Sequence, residues 1–187
     1  GRGPDFEAGA SPLIVGDLVL VNGPAGGTGE NLFAIHKRTG ETVWRGPGAK
    51  LTHSTPVLTT LLGVRQVLFF TVGGIVSVLP ETGKELWRHS FTVSIPTAIS
   101  PVIGGDIVYH SAAYGTGARA VKNSRSGDSF QATEIWRKRG ELLSFWSTPV
   151  YHNGYLYGLF GQDYNVSAPL KCVELATGTE KWSEPGF

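Results

Sequence analysis

The stretch "AIHKRTGETVW", residues 34–44, decides the fold, because the same eleven-residue phrase returns further along the chain. A looser copy, "SVLPETGKELW", occupies residues 77–87, and a third copy ends at Trp182. Every copy has a small residue first, glycine seventh and tryptophan last. The three sets are Ala34, Gly40 and Trp44; Ser77, Gly83 and Trp87; and Cys172, Gly178 and Trp182. Such self-similarity predicts a repeated structural unit.

A fourth, altered copy and a second marker define the period. In "SGDSFQATEIW", which ends at Trp136, Ser126 takes the first place and Ala132 replaces the glycine. The second marker is a proline that closely follows a serine and precedes an apolar residue; it recurs at Pro12, Pro56, Pro101 and Pro149. Both markers give one period in the mid-forties.

Within each period the sequence predicts four short strands. The first unit contains "SPLIVG", "DLVLVNG", "NLFAIHK" and "ETVWRG", which are apolar runs interrupted by Gly, Asp and Asn. No segment keeps a helical period, so essentially no helix is expected. Four strands in a unit of this length are typical of a β-propeller blade. We therefore predict a single all-β domain over residues 1–187, a β-propeller of four antiparallel blades at approximately 10–50, 51–91, 92–140 and 141–187.

The repeated phrase has a physical explanation in this fold. A blade cannot bury both faces alone, so it must pack on its neighbour. The tryptophan is expected to dock on the next blade and to donate its indole N–H to a backbone partner. The small first residue leaves room for the ring, and the glycine permits the tight turn between the last two strands.

Composition excludes several classes of protein. The 16 basic and 15 acidic residues are scattered and leave a formal charge of +1, which argues against nucleic acid or an anionic membrane as partner. The most apolar stretch, 61–79, contains Arg65 and Gln66, so no membrane span is predicted. Cys172 is the single cysteine and forms no intrachain disulfide. The absence of Met suggests a trimmed or processed chain or a segment of a longer one.

With its repeats laid out, the chain resembles the PQQ-binding-like β-propeller family, whose tryptophan docking motif has Ala first, Gly seventh and Trp eleventh. The family includes quinoprotein dehydrogenases, which hold pyrroloquinoline quinone and calcium on the propeller axis, and BamB-like periplasmic scaffolds that bind proteins. Segments such as "GASPLIVGDLVLVNG" look most like the BamB-like group. The resemblance implies a non-catalytic scaffold without a cofactor, which binds a protein or polymer in an extracytoplasmic (periplasmic or secreted) bacterial setting. The alternative is a fragment of a PQQ-dependent dehydrogenase.

The resemblance also bears on ring closure. Members of this family usually close seven or eight blades, so four repeats correspond to half of an eight-bladed ring. Three alternatives remain: further blades of a parent chain, two copies that complete one ring as a homodimer, or a ring of four blades. The first two are favoured.

Functional residues are expected on one rim of the disc, formed by the loops between the second and third strands and between successive blades. Trp146 could stack under a planar quinone, and His53 could act as a base or ligand. Three cations could pair with cofactor carboxylates: Lys50, Arg119 and Arg139. Asp163 and Asn165 could contribute to a cation site, although two oxygen donors fall short of what calcium takes. For each of these a structural or surface role is the favoured interpretation, and no catalytic residue is predicted.

Overall fold

The computed structural model describes residues 9–23, 30–46, 50–93, 97–161 and 168–186. In this part of the chain there is no helix, and the strands form four antiparallel four-stranded sheets. Blade 1 contains β1 (Leu13–Val15), β2 (Leu18–Asn22), β3 (Leu32–His36) and β4 (Thr42–Gly46); blade 2 contains β5 (Val57–Leu61), β6 (Val64–Thr71), β7 (Gly74–Val78) and β8 (Glu85–Ser90); blade 3 contains β9 (Val102–Gly104), β10 (Ile107–Ala112), β11 (Gly117–Ser126) and β12 (Ser129–Lys138); blade 4 contains β13 (Val150–His152), β14 (Tyr155–Leu159), β15 (Leu170–Glu174) and β16 (Thr179–Glu184).

Each sheet is a meander in which every strand pairs with the next one along the chain. The Asn153-Gly154 pair joins β13 to β14, and both residues have the positive φ (47° and 91°) that a two-residue hairpin turn requires. First strands contact each other across blades, β1 with β5 and β9 with β13. The predicted all-β fold is confirmed: the chain is a partial β-propeller of four blades.

The core lies between the blades. One apolar cluster joins the facing sides of blades 1 and 2 and contains Leu20, Leu32 and Trp44 from one side and Val67 and Phe69 from the other. A second cluster extends from blade 2 through blade 3 to blade 4. Because each cluster draws on neighbouring sheets, the blades are stabilised mainly by stacking.

Trp44 of blade 1 contacts blade 2. Its indole Nε1 donates to the Pro80 carbonyl oxygen at 2.9 Å, and its side chain is buried. The ring lies over Gly83, where an added Cβ would be 2.5 Å from it. Gly83 therefore does more than permit the turn (φ +71°), because its missing side chain makes room for the indole.

Trp136 makes the same contact between blades 3 and 4. Its Nε1 donates to the Leu175 carbonyl oxygen at 2.7 Å, and its ring lies over Gly178, which has φ +69°. In both pairs the accepting carbonyl stands three residues before the glycine. We call this pair of groups, the turn glycine and that carbonyl, the tryptophan acceptor site.

The first place of the blade 3 motif was assigned wrongly to Ser126. The cross-strand partner of Trp136 is Ala120, just as Ala34, Ser77 and Cys172 face the other tryptophans. The hairpin of β11 and β12 is extended, and its turn lies at Gly127. The residue ten places before the tryptophan therefore lies at the hairpin tip instead of opposite the ring.

The other two tryptophans make different contacts. Trp87 is buried in the apolar cluster that blade 2 shares with blade 3, but its Nε1 donates to Gln66 Oε1 of its own blade at 2.7 Å. Trp182 is 41% exposed, and its ring packs near Tyr157 of its own blade. No blade follows blade 4 among the described residues, so the docking of Trp182 on a following blade stays a prediction.

Replacing Gly83 with Ala is expected to lower the free energy of unfolding by about 2–3 kcal/mol. About 1 kcal/mol comes from the left-handed backbone and the rest from displacement of the Trp44 ring. The control is Gly63→Ala, which has a similar φ of +78° and no atom within 4 Å of the added Cβ. Urea unfolding followed by tryptophan fluorescence measures both, and equal losses in the two variants would contradict the acceptor role of Gly83.

Candidate functional site

Three aromatic side chains form a cluster on the predicted rim between blades 3 and 4. Trp146 is 67% exposed, and its ring centroid lies 4.3 Å from that of Phe145. Phe145 is buried and makes an edge contact at 5.2 Å with Tyr114, which is 44% exposed. Tyr114 occupies the turn between β10 and β11 in a left-handed conformation, φ 57°. We call Tyr114, Phe145 and Trp146 the rim aromatic cluster.

The loop that carries Trp146 is anchored on both sides. The Ser144 amide donates to Ser111 Oγ at 3.0 Å, and that hydroxyl donates to the Ser144 carbonyl at 3.1 Å. The buried Tyr109 hydroxyl donates to the Leu142 carbonyl at 2.8 Å, and burial raises the pKa of this phenol. The loop is therefore held by blade 3, and Trp146 projects from a fixed backbone.

A row of hydrogen bonds runs across the blades next to their first strands. The Ser11 amide donates to Thr55 Oγ1 at 3.1 Å, and the Ser100 amide donates to Thr148 Oγ1 at 3.0 Å. Between blades 2 and 3, Ser100 Oγ donates to the Thr55 carbonyl oxygen at 3.0 Å. All four residues directly precede the repeated prolines. The sequence contained this signal as the second repeat marker, but its role in joining blades was not predicted.

A buried polar cluster lies between blades 2 and 3. His110 is fully buried beside the rings of His89, Phe70 and Phe91, at centroid distances of 5.3, 5.6 and 4.8 Å. The Arg119 guanidinium lies 4.2 Å from the centre of Phe91. Within the described chain neither ring nitrogen of His110 has a hydrogen-bond partner. Sequence spacing gave no signal for this cluster, because its members come from separate strands of two blades.

Glu134 connects the charges of this cluster. Its Oε2 lies 3.0 Å from Arg119 Nε and 3.6 Å from His89 Nε2, and its other oxygen accepts from Arg137 Nε at 2.8 Å. Burial opposes its ionisation, but the Arg137 and Arg119 guanidinium groups outweigh burial and lower its pKa. Burial lowers the pKa of His89, and burial together with His89 and Arg119 holds the pKa of His110 well below its usual value. The two histidines are therefore neutral at pH 7, and the positive charge of Arg119 is balanced by the Glu134 carboxylate.

The structure separates the predicted cofactor residues. Arg119 is engaged by Glu134 and Phe91, whereas Trp146 contacts Phe145 in the rim aromatic cluster. The His53 ring accepts a hydrogen bond from the Gly9 amide at 3.1 Å through Nδ1. Arg119 and Trp146 thus make separate contacts, and a cofactor role for either residue stays a prediction.

The remaining candidates occupy other places. Lys50 is exposed and lines a cleft of about 230 Å³ together with Arg88 and His89. Arg139 is exposed at the end of β12. Asp163 and Asn165 lie outside the described residues. Within the described ranges, no group of three His, Cys, Asp or Glu side chains is placed to hold a metal ion, and no helix is long and apolar enough to cross a membrane.

The four meandering sheets define the class of fold, a β-propeller. The chain belongs to the family whose model is described as "Outer membrane protein assembly factor BamB", which matches residues 4–184. A search of curated protein sequences found no match.

Three solved structures share the fold. BamB from Moraxella catarrhalis superposes with a TM-score of 0.62 at 18% identity, covering 92% of this chain and 47% of BamB. Quinohemoprotein alcohol dehydrogenase from Comamonas testosteroni superposes with a TM-score of 0.62 at 14% identity, and the match covers 96% of this chain and 35% of the enzyme. The computationally designed Ika8 protein superposes with a TM-score of 0.55 at 13% identity, and the match covers 94% of this chain and 48% of Ika8. The chain thus spans about half or less of the length of these structures.

Proposed function

We propose that the chain is a non-catalytic propeller module that binds a polypeptide through the rim aromatic cluster, in an extracytoplasmic bacterial protein. The observation that carries the proposal is the exposed Trp146 ring on an anchored loop. Trp and Tyr are enriched where proteins bind each other, because they bury a large area at a small entropic cost. An anchored loop lowers that cost further, since little conformational freedom is lost on binding.

The family description supports a protein as the partner. An assembly factor for outer membrane proteins acts on other polypeptides, and we transfer this class of partner to the present chain. The polar candidates support a scaffold more than an enzyme, because Arg119 and His53 are engaged in contacts that hold the fold. On the rim, the exposed Tyr114 and Trp146 rings both contact the buried Phe145 ring.

Site-specific photo-crosslinking tests the proposal. A photoreactive amino acid at position 146 is expected to capture outer membrane or periplasmic polypeptides when the chain is exported in a Gram-negative host. The matched control is position 128, which is 98% exposed at the tip of the extended hairpin on the opposite rim. Trp146→Ala is then expected to weaken binding of the purified captured polypeptide by tenfold or more, as for a typical interface hot spot.

Two results would overturn the proposal. Equal capture at positions 128 and 146 would show that the rim aromatic cluster has no special role. A saturable absorbance change on adding pyrroloquinoline quinone and calcium, reduced in Trp146→Ala, would instead favour the dehydrogenase fragment. We expect no saturable change.

A further inference from the structure

The outer hairpin of blade 3 is longer than those of the other blades. In every blade the register between the third and fourth strands shifts directly after the small residue that faces the tryptophan. Beyond that shift, blades 1, 2 and 4 continue for one, one and two residue pairs, whereas blade 3 continues for six. These six pairs, from Val121–Glu134 to Ser126–Ser129, form a ribbon that projects beyond the repeated part of the blade. We call residues 121–134 the blade 3 ribbon.

The blade 3 ribbon is anchored to the rest of the fold. Arg125 Nη1 donates to the Leu62 carbonyl oxygen of blade 2 at 3.3 Å. Phe130 and Ala132 pack against the apolar cluster that extends from blade 2 to blade 4. Because the ribbon is held in place, an additional strand could pair with it at little cost in conformational entropy.

One edge of the ribbon has no strand beside it among the described residues, since β12 is the last strand of its sheet. The Asn123 amide donates to the Asp106 carbonyl oxygen at 2.8 Å, on the side away from β12. Its cross-strand partner Ala132 therefore directs its own N–H and C=O away from β11, and Phe130 and Glu134 do the same. Further blades of a propeller stack on the faces of these sheets, so they leave this outer edge open.

This edge lacks the features that prevent strands from pairing. Residues 129–133, "SFQAT", contain no charge, proline or glycine. The outer strands of the other blades are shorter and carry charged side chains, such as Arg45 in β4, Arg88 in β8 and Lys181 in β16. Short length and charge are the usual means by which proteins block their sheet edges. The ribbon edge is therefore a template for an added strand.

The two ends of β12 carry opposite charges. At the hairpin turn, the Asp128 side chain is 98% exposed, with Arg125 at 3.8 Å. At the other end Arg137, Lys138 and Arg139 follow one another, and the first two side chains are 42% and 37% exposed. When two identical strands pair antiparallel, the start of each lies near the end of the other. Opposite charges then meet at both ends, which favours a second copy of this edge over an unrelated strand.

We propose that the β12 edge pairs antiparallel with the same edge of a second copy, so that two blade 3 sheets join into one sheet of eight strands. Ala132 lies on the two-fold axis opposite its own counterpart, and Phe130 lies opposite Glu134 of the other copy. Asp128 lies near Lys138 of the other copy at each end of the contact. This surface is on the rim opposite the rim aromatic cluster, so the proposal does not rest on the proposed function. A crosslink between two copies at position 128 would have a mass of about 40 kDa, twice that of the chain, which distinguishes it from capture of another polypeptide.

The contact is small, because only about five residues of each copy pair, and a weak dimer is therefore expected. Sedimentation equilibrium should show the mass rising from the 20.0 kDa of the chain toward about 40 kDa as the concentration increases from about 10 µM to about 1 mM. A mass of 20 kDa over this whole range would overturn the proposal. Growth past two copies would also overturn it, since a two-fold contact closes on itself.

Cysteine crosslinking locates the contact. Directly opposed, hydrogen-bonded residues of antiparallel strands have Cα atoms about 5.5 Å apart, which is within the range of a disulfide. Ala132→Cys is therefore expected to give a disulfide-linked dimer on mild oxidation. The control is Ser124→Cys, which is exposed on the same ribbon but one strand away from the edge and should remain monomeric. The buried Cys172 is common to both variants. Equal crosslinking in the two variants would overturn the pairing.

A charge exchange tests the antiparallel orientation. Asp128→Lys and Lys138→Glu are each expected to raise the dimer dissociation constant about three- to tenfold, because each places like charges together at both ends of the contact. The double variant again has opposite charges between copies, so its dissociation constant should return to within about twofold of the wild-type value. Circular dichroism shows whether each variant is folded. Single variants that dimerise like the wild type, or a double variant that regains nothing, would overturn antiparallel self-pairing.

Discussion

Replacing Trp44 with Ala is expected to lower the free energy of unfolding by about 3–5 kcal/mol, the range for truncating a buried aromatic side chain. The indole is 8% exposed, lies over Gly83 and donates to the Pro80 carbonyl. The substitution leaves a cavity between blades 1 and 2 and an unpaired carbonyl at its edge. Urea unfolding followed by far-ultraviolet circular dichroism measures the loss without relying on the tryptophan signal.

Two further variants separate the sources of this loss. Trp44→Phe keeps an aromatic ring over Gly83 but removes the indole N–H, so part of the packing should remain and the loss should be smaller than for Ala. Trp146→Ala, at a ring that is 67% exposed, is expected to change stability by no more than about 0.5 kcal/mol. A loss for Trp44→Ala as small as that for Trp146→Ala would refute docking as the source of inter-blade stability.

The features predicted from sequence are those that recur between blades. Trp44 and Trp136 meet nearly the same environment, a turn glycine and a carbonyl of the next blade, so tryptophan and glycine recur at a similar spacing. The spacing also misleads where a blade is altered. Ser126 was chosen by counting from Trp136, while the extended hairpin places Ala120 opposite that ring.

Contacts between strands of different blades produce no repeated spacing of residues in the sequence. His89 lies on β8, His110 on β10 and Arg119 on β11, and they meet only because blades 2 and 3 stack. The rim shows the same limit, since Trp146 was selected from its loop but its contacts through Phe145 to Tyr114 depend on the fold. Sequence thus predicted single candidates, and packing decided which of them form clusters.

The second large effect is a loss of stability in mild acid caused by the buried histidines. Burial, His89 and Arg119 lower the pKa of His110 in the folded chain, and burial lowers that of His89. The unfolded chain therefore takes up protons first as the pH falls through about 6.5. Stability is complete above that pH and decreases below it by up to about 1.4 kcal/mol per pH unit for each histidine. Between pH 6.5 and 5 the loss is therefore at most about 2 kcal/mol for His110, and it is smaller for His89, which is only partly buried.

Glu134 does not account for a loss in this window. The arginines Arg137 and Arg119 lower its pKa against the effect of burial, so it remains a carboxylate down to pH 5 and contributes its own loss only at lower pH. Urea unfolding at pH 7.5, 6.5, 5.8 and 5.0 therefore reports mainly on the histidines.

His110→Phe provides the decisive comparison. The site is lined by the rings of Phe70 and Phe91, so a phenyl ring is expected to be accepted there at a cost below about 1.5 kcal/mol at neutral pH. Because the variant lacks one titrating group, its stability should fall by less than that of the wild type between pH 6.5 and 5, with a difference of at most about 2 kcal/mol. If His110→Phe loses as much stability as the wild type over this range, the buried histidine is not the group that limits stability in acid.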